Sequence, residues 1–320
     1  MEYRSFEDLS TTIAMNLHKI PHDVDLIVGI PRSGLLAGNM IDMQLNIPLV
    51  DLDCYIENTS LHCGSIQTTR ARIYFPREAK HVLIVDDTIY AGKSMAHAKA
   101  LIKNASVDHR TTSCTVYANP GSLDLIDIYF EKLTSPGCQE WNIMHRDKLE
   151  HFCVDIDGVV CKDPLKKDDD DGPAYLDFLK NAEPLMLPSR KVGCLVTGRL
   201  EKYRKETEYW LSKHNIQYHE LHMLDLPDAK TRWKLRAAPI FKAKVYKSYP
   251  NSPLFIESDH AEALKISRLS GRDVLCFSSQ QLIKQGFSVE RIELAVKSYR
   301  KHTLRKARKI IRKALRHEKL

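Results

Sequence analysis

The sequence predicts an α/β protein: two parallel-sheet domains in series, residues 1–148 and 149–286, followed by a basic helical segment over 287–320. Three observations carry this reading. At 320 residues the chain is about twice the length of a modal domain. Short apolar runs of strand length alternate with helical periodicity through both halves, as they do where crossover helices join parallel strands. The net charge of +7 is also unevenly placed, since residues 297–320 hold 11 of the 48 Lys and Arg but only Glu318 of the 41 acids, leaving 37 basic against 40 acidic residues elsewhere. The positive balance therefore belongs to one segment and not to the body of the protein.

The composition, 43% hydrophobic and 28% charged with 13 Gly and 14 Pro, is that of a globular chain and excludes disordered and collagenous classes. No run of 18 apolar residues occurs, and the first ten residues, MEYRSFEDLS, lack the order of a signal peptide, so a cytoplasmic location is expected. The eight cysteines include no CxxC pair, which points to reduced, mostly structural thiols.

In the first half, residues 26–30 (LIVGI), 48–52, 82–85 (VLIV) and 115–118 read as strands, and 35–44 and 93–103 as helices. The polar stretch 122–147, without sustained period, reads as a lid or linker. The second series begins at 152–160 (FCVDIDGVV) and continues with strands at 192–197, 219–224 and 254–256 and helices near 202–214 and 261–269.

The most informative stretch of the first half is VLIVDDTIYAGKS, residues 82–94. An apolar strand runs into two carboxylates, Asp86 and Asp87, suited to the vicinal hydroxyls of a ribose. Thr88, Tyr90, Ala91, Gly92, Lys93 and Ser94 then form a loop opening a helix, where hydroxyls and backbone N–H groups favour phosphate. The string resembles the signature of type I phosphoribosyltransferases, with Ala91 where a second Thr is usual. LIVGIPRSGLLAG, residues 26–38, is similar to the pyrophosphate loop of that family, in which Pro31, Arg32, Ser33 and Gly34 bring a tight turn, a guanidinium, a hydroxyl and close backbone approach to a diphosphate. The resemblance implies 5-phosphoribosyl 1-diphosphate as donor, with Mg2+, and a mobile loop over 57–72 in which Arg70 and Arg72 reach the diphosphate on closure.

FCVDIDGVV places Asp155 and Asp157 on one face at a strand end, followed by Gly158. It resembles the first motif of the haloacid dehalogenase superfamily, and further motifs follow in order. CLVTGR ends a strand at Thr197 with Arg199 nearby, FKAKVYK supplies a lysine, and LFIESD ends a strand at Glu257 and Asp259. The resemblance implies that Asp155 attacks phosphorus, that Asp157 protonates the leaving oxygen and later activates water, and that Thr197 holds the phosphoryl oxygens. Lys242, with Lys244 as the alternative, neutralises the nucleophile. Mg2+ is held by Asp155, Asp157 and either Glu257 or Asp259. The run of acids at 168–171 reads as a solvated loop and not as a metal cluster.

The pair of motifs is similar to dual-domain ribofuranosyltransferases of bacterial surface-polysaccharide assembly. That family implies transfer of 5-phosphoribosyl to a hydroxyl of a lipid-linked glycan, then hydrolysis of the 5-phosphate to leave ribofuranose in an O antigen or capsule. A hydroxyl acceptor needs a general base, for which Asp87 and Asp53 are the candidates. The competing readings are a base phosphoribosyltransferase fused to a nucleotidase in nucleotide salvage, and a regulator that senses the donor through a relic site. From residue 303 onward, Leu304, Ala307, Ile311, Ala314 and Leu315 recur at helical spacing against a basic face. Peripheral contact with an anionic membrane is the expectation for this segment, ahead of packing on the phosphatase domain, and nucleic acid is not expected as a partner.

Overall fold

The computed structural model describes residues 1–61, 73–105, 110–134, 137–165 and 171–285. The chain divides into two compact units, Met1–Ile143 and Met144–Leu320. Both are built on parallel sheets, the α/β class that the strand and helix alternation predicts. The basic segment 287–320 lies outside the described residues, as do most of the 57–72 loop, Arg70 and Arg72 included.

In the first unit, β1 (Glu2–Arg4) leads through the capping box of Ser5 and Asp8 into α1 (Phe6–Asn16). Then follow β2 (Leu26–Gly29), α2 (Ser33–Leu45), β3 (Leu49–Asp51), α3 (Leu52–Glu57), β4 (His81–Ile89), α4 (Lys93–Asn104), β5 (Arg110–Ala118), β6 (Ile128–Lys132) and β7 (Gly137–Gln139). Five strands pair in parallel in the order β3-β2-β4-β5-β6. Alternation divides their apolar runs between two cores: Leu26, Val28, Val82 and Ile84 pack with Tyr55 of α3 and Met95 and Ala98 of α4. Ile27, Leu83 and Val85 pack with Leu9 and Ile13 of α1 and Ala37 and Ile41 of α2. Strands covered on both faces read as unbroken apolar runs, which is why LIVG and VLIV stand out in the sequence.

The stretch 122–147 corrects the sequence reading. Instead of a lid or linker it supplies β6, the sheet's edge strand, and β7, which pairs in parallel with β1 through Tyr3 and Cys138. Phe130 is the buried residue of β6, so so short an edge strand carries little period for a sequence reading to find.

The second unit comprises β8 (Cys153–Val154), α5 (Pro173–Asn181), β9 (Val192–Leu200), α6 (Arg204–Lys213), β10 (Tyr218–Leu224), α7 (Ala229–Leu235), α8 (Ala237–Ser248), β11 (Phe255–Glu257), α9 (His260–Ser270), β12 (Val274–Cys276) and β13 (Gln281–Ile283). The sheet order is β10-β9-β8-β11-β12-β13, parallel except for the last pair. Ala243 and Tyr246 of α8 and Ala263 and Ile266 of α9 pack with Cys153, Val196, Phe255 and Val274 of the sheet. Tyr175 and Leu179 of α5 form a separate cluster with Leu200 and Leu224.

Candidate active sites

In open parallel sheets, ligands bind at the carboxyl ends of the strands where the winding direction reverses. The first unit reverses between β2 and β4, and the second between β9 and β11, on either side of β8. The sequence motifs fall on these two places.

At the first switch point α2 starts directly over β4. A Cβ on Gly34 would lie 2.5 Å from the Val85 carbonyl oxygen and 3.1 Å from the Asp86 Cα, so it is this helix-to-strand contact that demands glycine. Pro31 and Arg32 are exposed at the turn, and the peptide between them is cis. β4 does not stop at Val85 but continues to Ile89, so Asp86 and Asp87 face opposite sides of the sheet. Asp87 is 5% exposed. One of its oxygens accepts from Ser33 Oγ at 2.8 Å, and the other accepts from Trp141 Nε1 at 2.8 Å and Thr88 Oγ1 at 3.3 Å. Ser33 and Thr88, expected to donate to phosphate, thus donate to a carboxylate.

Asp86 is only partly buried by its neighbours, and its Oδ1 accepts from the Asp87 backbone N–H at 2.9 Å. Burial first, and then the charge of Asp87, push its carboxyl up to about 8. Gly92, in the left-handed region, precedes α4, and Ala91, Lys93 and Ser94 are exposed at the helix start. Tyr90 donates from its hydroxyl to the Gly137 carbonyl at 3.1 Å and accepts from Gln139 Nε2 at 3.2 Å. Asp53 is exposed in the first turn of α3. Gln139 and Trp141 are the residues of this site that the motifs do not reveal, because they lie in the stretch read as a linker.

At the second switch point, Asp155 directly follows β8, its N–H bonded to the Ile256 carbonyl of β11. Lys242 Nζ on α8 donates to Asp155 Oδ2 at 2.7 Å, to Glu257 Oε2 at 2.8 Å and to Glu262 Oε2 at 2.9 Å. Burial alone lowers the lysine, but these three carboxylates raise it well above its ordinary value and keep it charged. Asp155 is pushed up by burial and by the charges of Glu257 and Asp157, against the pull of Lys242. Of the alternatives left open by sequence, Lys242 is buried and Lys244 exposed. Glu257 turns to the lysine, whereas Asp259 caps α9 through the Glu262 N–H at 2.7 Å.

Asp157 is held by Arg199, whose Nε lies 3.0 and 3.1 Å and Nη2 2.6 Å from the carboxylate oxygens. Burial raises its carboxyl, but the guanidinium outweighs burial and leaves it below its ordinary value. Thr197 does not end β9, which runs on to Leu200; the residue is fully buried and its hydroxyl accepts from the Arg199 N–H at 3.1 Å. Gly158 has φ +73°, and a Cβ there would lie 2.5 Å from Ser258 Cβ. Of the acidic run 168–171 only Asp171 lies within the described residues; it is partly exposed and accepts from Tyr203 Oη at 2.7 Å, Lys202 Nζ at 2.9 Å and the Ala229 N–H of α7 at 3.0 Å.

A cavity of about 540 Å3 opens beside Asp155, lined among others by Asp163, Tyr175, Arg232, Trp233, Arg236 and Lys265. Among the described residues no three His, Cys, Asp or Glu side chains lie in a metal-holding arrangement. The donor chemistry nevertheless suits a divalent cation, because Asp155 and Glu257 bring two buried carboxylates, hard oxygen donors, to one ammonium.

Residues 2–147 match the family model described as the phosphoribosyl transferase domain. The xanthine-guanine phosphoribosyltransferase of Chromohalobacter salexigens is 25% identical over 130 residues, covering 40% of this chain and 75% of that protein. Among solved structures, the purine phosphoribosyltransferase of Pyrococcus horikoshii covers 44% of this chain and 92% of its own, at 18% identity and a TM-score of 0.32. The xanthine-guanine-hypoxanthine phosphoribosyltransferase of Helicobacter pylori has the same coverage at 12% identity and a TM-score of 0.33. Residues 2–147 are a phosphoribosyltransferase domain, and 5-phosphoribosyl 1-diphosphate fits it as substrate.

Proposed function

We propose that the chain transfers 5-phosphoribosyl from 5-phosphoribosyl 1-diphosphate to a glycan hydroxyl and then removes the 5-phosphate, leaving a ribofuranose in a bacterial surface polysaccharide. The observation that carries the second step is the buried contact of Lys242 with both Asp155 and Glu257, on a chain whose other unit is a phosphoribosyltransferase domain.

In the first step Arg32 and the exposed start of α4, with Lys93 and Ser94, receive the diphosphate. A hydroxyl is a weak nucleophile and gives up its proton as it attacks. Asp86, with a carboxyl near 8, suits that base role better than Asp87, whose oxygens are already engaged, or Asp53. In the second step an oxygen of Asp155 attacks phosphorus, the P–O5 bond breaks with the sugar O5 taking up a proton from water in the cavity, and the aspartyl phosphate is hydrolysed by a second water whose proton passes to Asp157. Lys242 holds Asp155 and the phosphoryl oxygens in place, and Thr197 and Arg199 fix the strand and the base. Mg2+ would sit at Asp155 and Glu257, and with the donor's diphosphate, neutralising phosphoryl charge.

A second reading is salvage of a purine base followed by 5′-dephosphorylation, favoured by the likeness to a xanthine-guanine phosphoribosyltransferase. Incubating the protein with the donor and either a lipid-linked glycan or guanine, and following pyrophosphate release, separates the two. The reading stands if only the glycan supports release, and yields to salvage if only guanine does. No helix among the described residues is long and apolar enough to cross a membrane. A lipid-linked acceptor is reached through the basic residues of 303–320 at an anionic membrane surface.

A further inference from the structure

We infer that the cavity beside Asp155 contains a subsite for a ring attached to C1 of the phosphopentose, formed by Trp233 and Arg236, so that the second unit acts on a phosphoribosyl conjugate in preference to a simple ribose 5-phosphate ester. The inference rests on the phosphatase reading above and adds its specificity.

Two independent features of Arg236 point the same way. It lines the cavity that holds Asp155, Lys242 and Glu257. It also joins α7 to α8 with φ +46° and ψ +47°, a left-handed conformation in which glycine is the unstrained residue and a long side chain is not. Its guanidinium has no hydrogen-bond or ion-pair partner among the described residues, so its own fold makes no use of the side chain that the strained backbone carries. The left-handed turn itself ends α7, with the Arg236 N–H bonded to the Trp233 carbonyl at 3.0 Å, a role glycine would fill as well, so the side chain is what remains for a ligand.

Position sets what Arg236 can touch. It precedes Lys242 by six residues, about 9 Å along α8. With phosphorus held at Asp155 beside Lys242, the group at Arg236 is therefore the one beyond the pentose. Trp233 lines the same cavity and is 55% exposed, with the Arg232 guanidinium 5.6 Å from its ring centroid. Arg232 is in turn anchored to the Gly198 carbonyl at 3.1 Å, which fixes that helix over the strand carrying Thr197. An exposed indole offers a flat face to a ring, and Arg236 offers forked donors to its hydroxyl or carbonyl oxygens. A hexose and a purine share this chemistry.

The test compares three probes: methyl β-ribofuranoside 5-phosphate, a β-ribofuranosyl hexoside 5-phosphate and guanosine 5′-monophosphate. Wild-type protein is expected to favour one ring-bearing probe over the methyl riboside by about tenfold or more in kcat/KM, and which one identifies the ring. Arg236→Gly and Trp233→Ala should erase that preference mainly through KM. Arg236→Gly should do so with Tm unchanged or raised, because the backbone strain is relieved, and Arg236→Lys should keep part of the preference. Equal kcat/KM on all three probes, or a preference that survives Arg236→Gly, overturns the subsite while leaving the phosphatase reading intact. Wild-type protein that hydrolyses none of the three overturns both.

Discussion

The guanidinium of Arg199, fully buried, closes on the Asp157 carboxylate with its Nη2 at 2.6 Å and its Nε at 3.0 Å from the nearer oxygen of each contact. This pair fixes what Asp157 can do. In the proposed phosphatase cycle a carboxyl held ionised can accept the proton of the attacking water but is a reluctant donor to the departing sugar oxygen. Asp157→Asn should therefore give a burst of p-nitrophenol from p-nitrophenyl phosphate, equal to the enzyme present, followed by slow turnover. A linear course at the wild-type rate would remove Asp157 from the base role.

The same pair has a structural consequence. Arg199→Met leaves the Asp157 charge buried and unpaired, at a cost of about 3–5 kcal/mol. Adding Asp157→Leu should recover a large part of that loss. Urea unfolding of the single and double variants measures the coupling, and strictly additive losses would contradict it.

Asp86 makes the first unit's stability depend on pH. Its folded value of about 8 lies above the ordinary 3.8, so the folded state binds a proton that the unfolded chain releases in that interval. The favourable contribution is complete at low pH and is lost as pH rises through 8. Asp86→Asn should gain in Tm relative to wild type between about pH 5 and about pH 9. A difference that does not change with pH would show that Asp86 ionises normally.

Gly34→Ala places a methyl group 2.5 Å from the Val85 carbonyl oxygen. Backbone on both sides must move, for about 1–3 kcal/mol of stability, and pyrophosphate release should fall as Arg32 and Asp86 shift apart. Urea unfolding together with a pyrophosphate assay tests both effects. Unchanged stability would mean that the helix and strand can separate freely.

What could be read from sequence follows from where each signal resides. LIVG and VLIV are strands buried on both faces, so their unbroken apolar runs mark the sheet, and the polar residues after them mark the switch point. FCVDIDG, the lysine of α8 and the Glu257 strand were legible in the same way, and the structure brings Asp155, Lys242 and Glu257 into direct contact. Trp141 and Gln139 were not legible, because their role depends on β1 pairing with β7 across more than 130 residues of chain. The partner of Asp157 could be named only as nearby, since its contact depends on β9 running past Thr197 to carry Arg199 inward. The tertiary use of Asp171 was hidden by the acidic run that contains it.

The basic residues of 303–320 give a further expectation. Removing them should reduce sedimentation with anionic vesicles at low salt and lower transfer to a lipid-linked acceptor, while transfer to a short soluble acceptor persists. Equal vesicle binding with and without the segment would rule out the membrane role.

In the proposed two-step scheme one chain adds a phosphoribosyl group and then removes its phosphate at a separate site. The most direct measurement is mass spectrometry of the product formed from 5-phosphoribosyl 1-diphosphate and a glycan acceptor by wild-type protein and by Asp155→Asn. The two-step scheme requires a ribosylated product from wild type and the same product still carrying its phosphate from Asp155→Asn, with pyrophosphate release intact in both. Asp155→Asn protein that yields the phosphate-free product at the wild-type rate would contradict it.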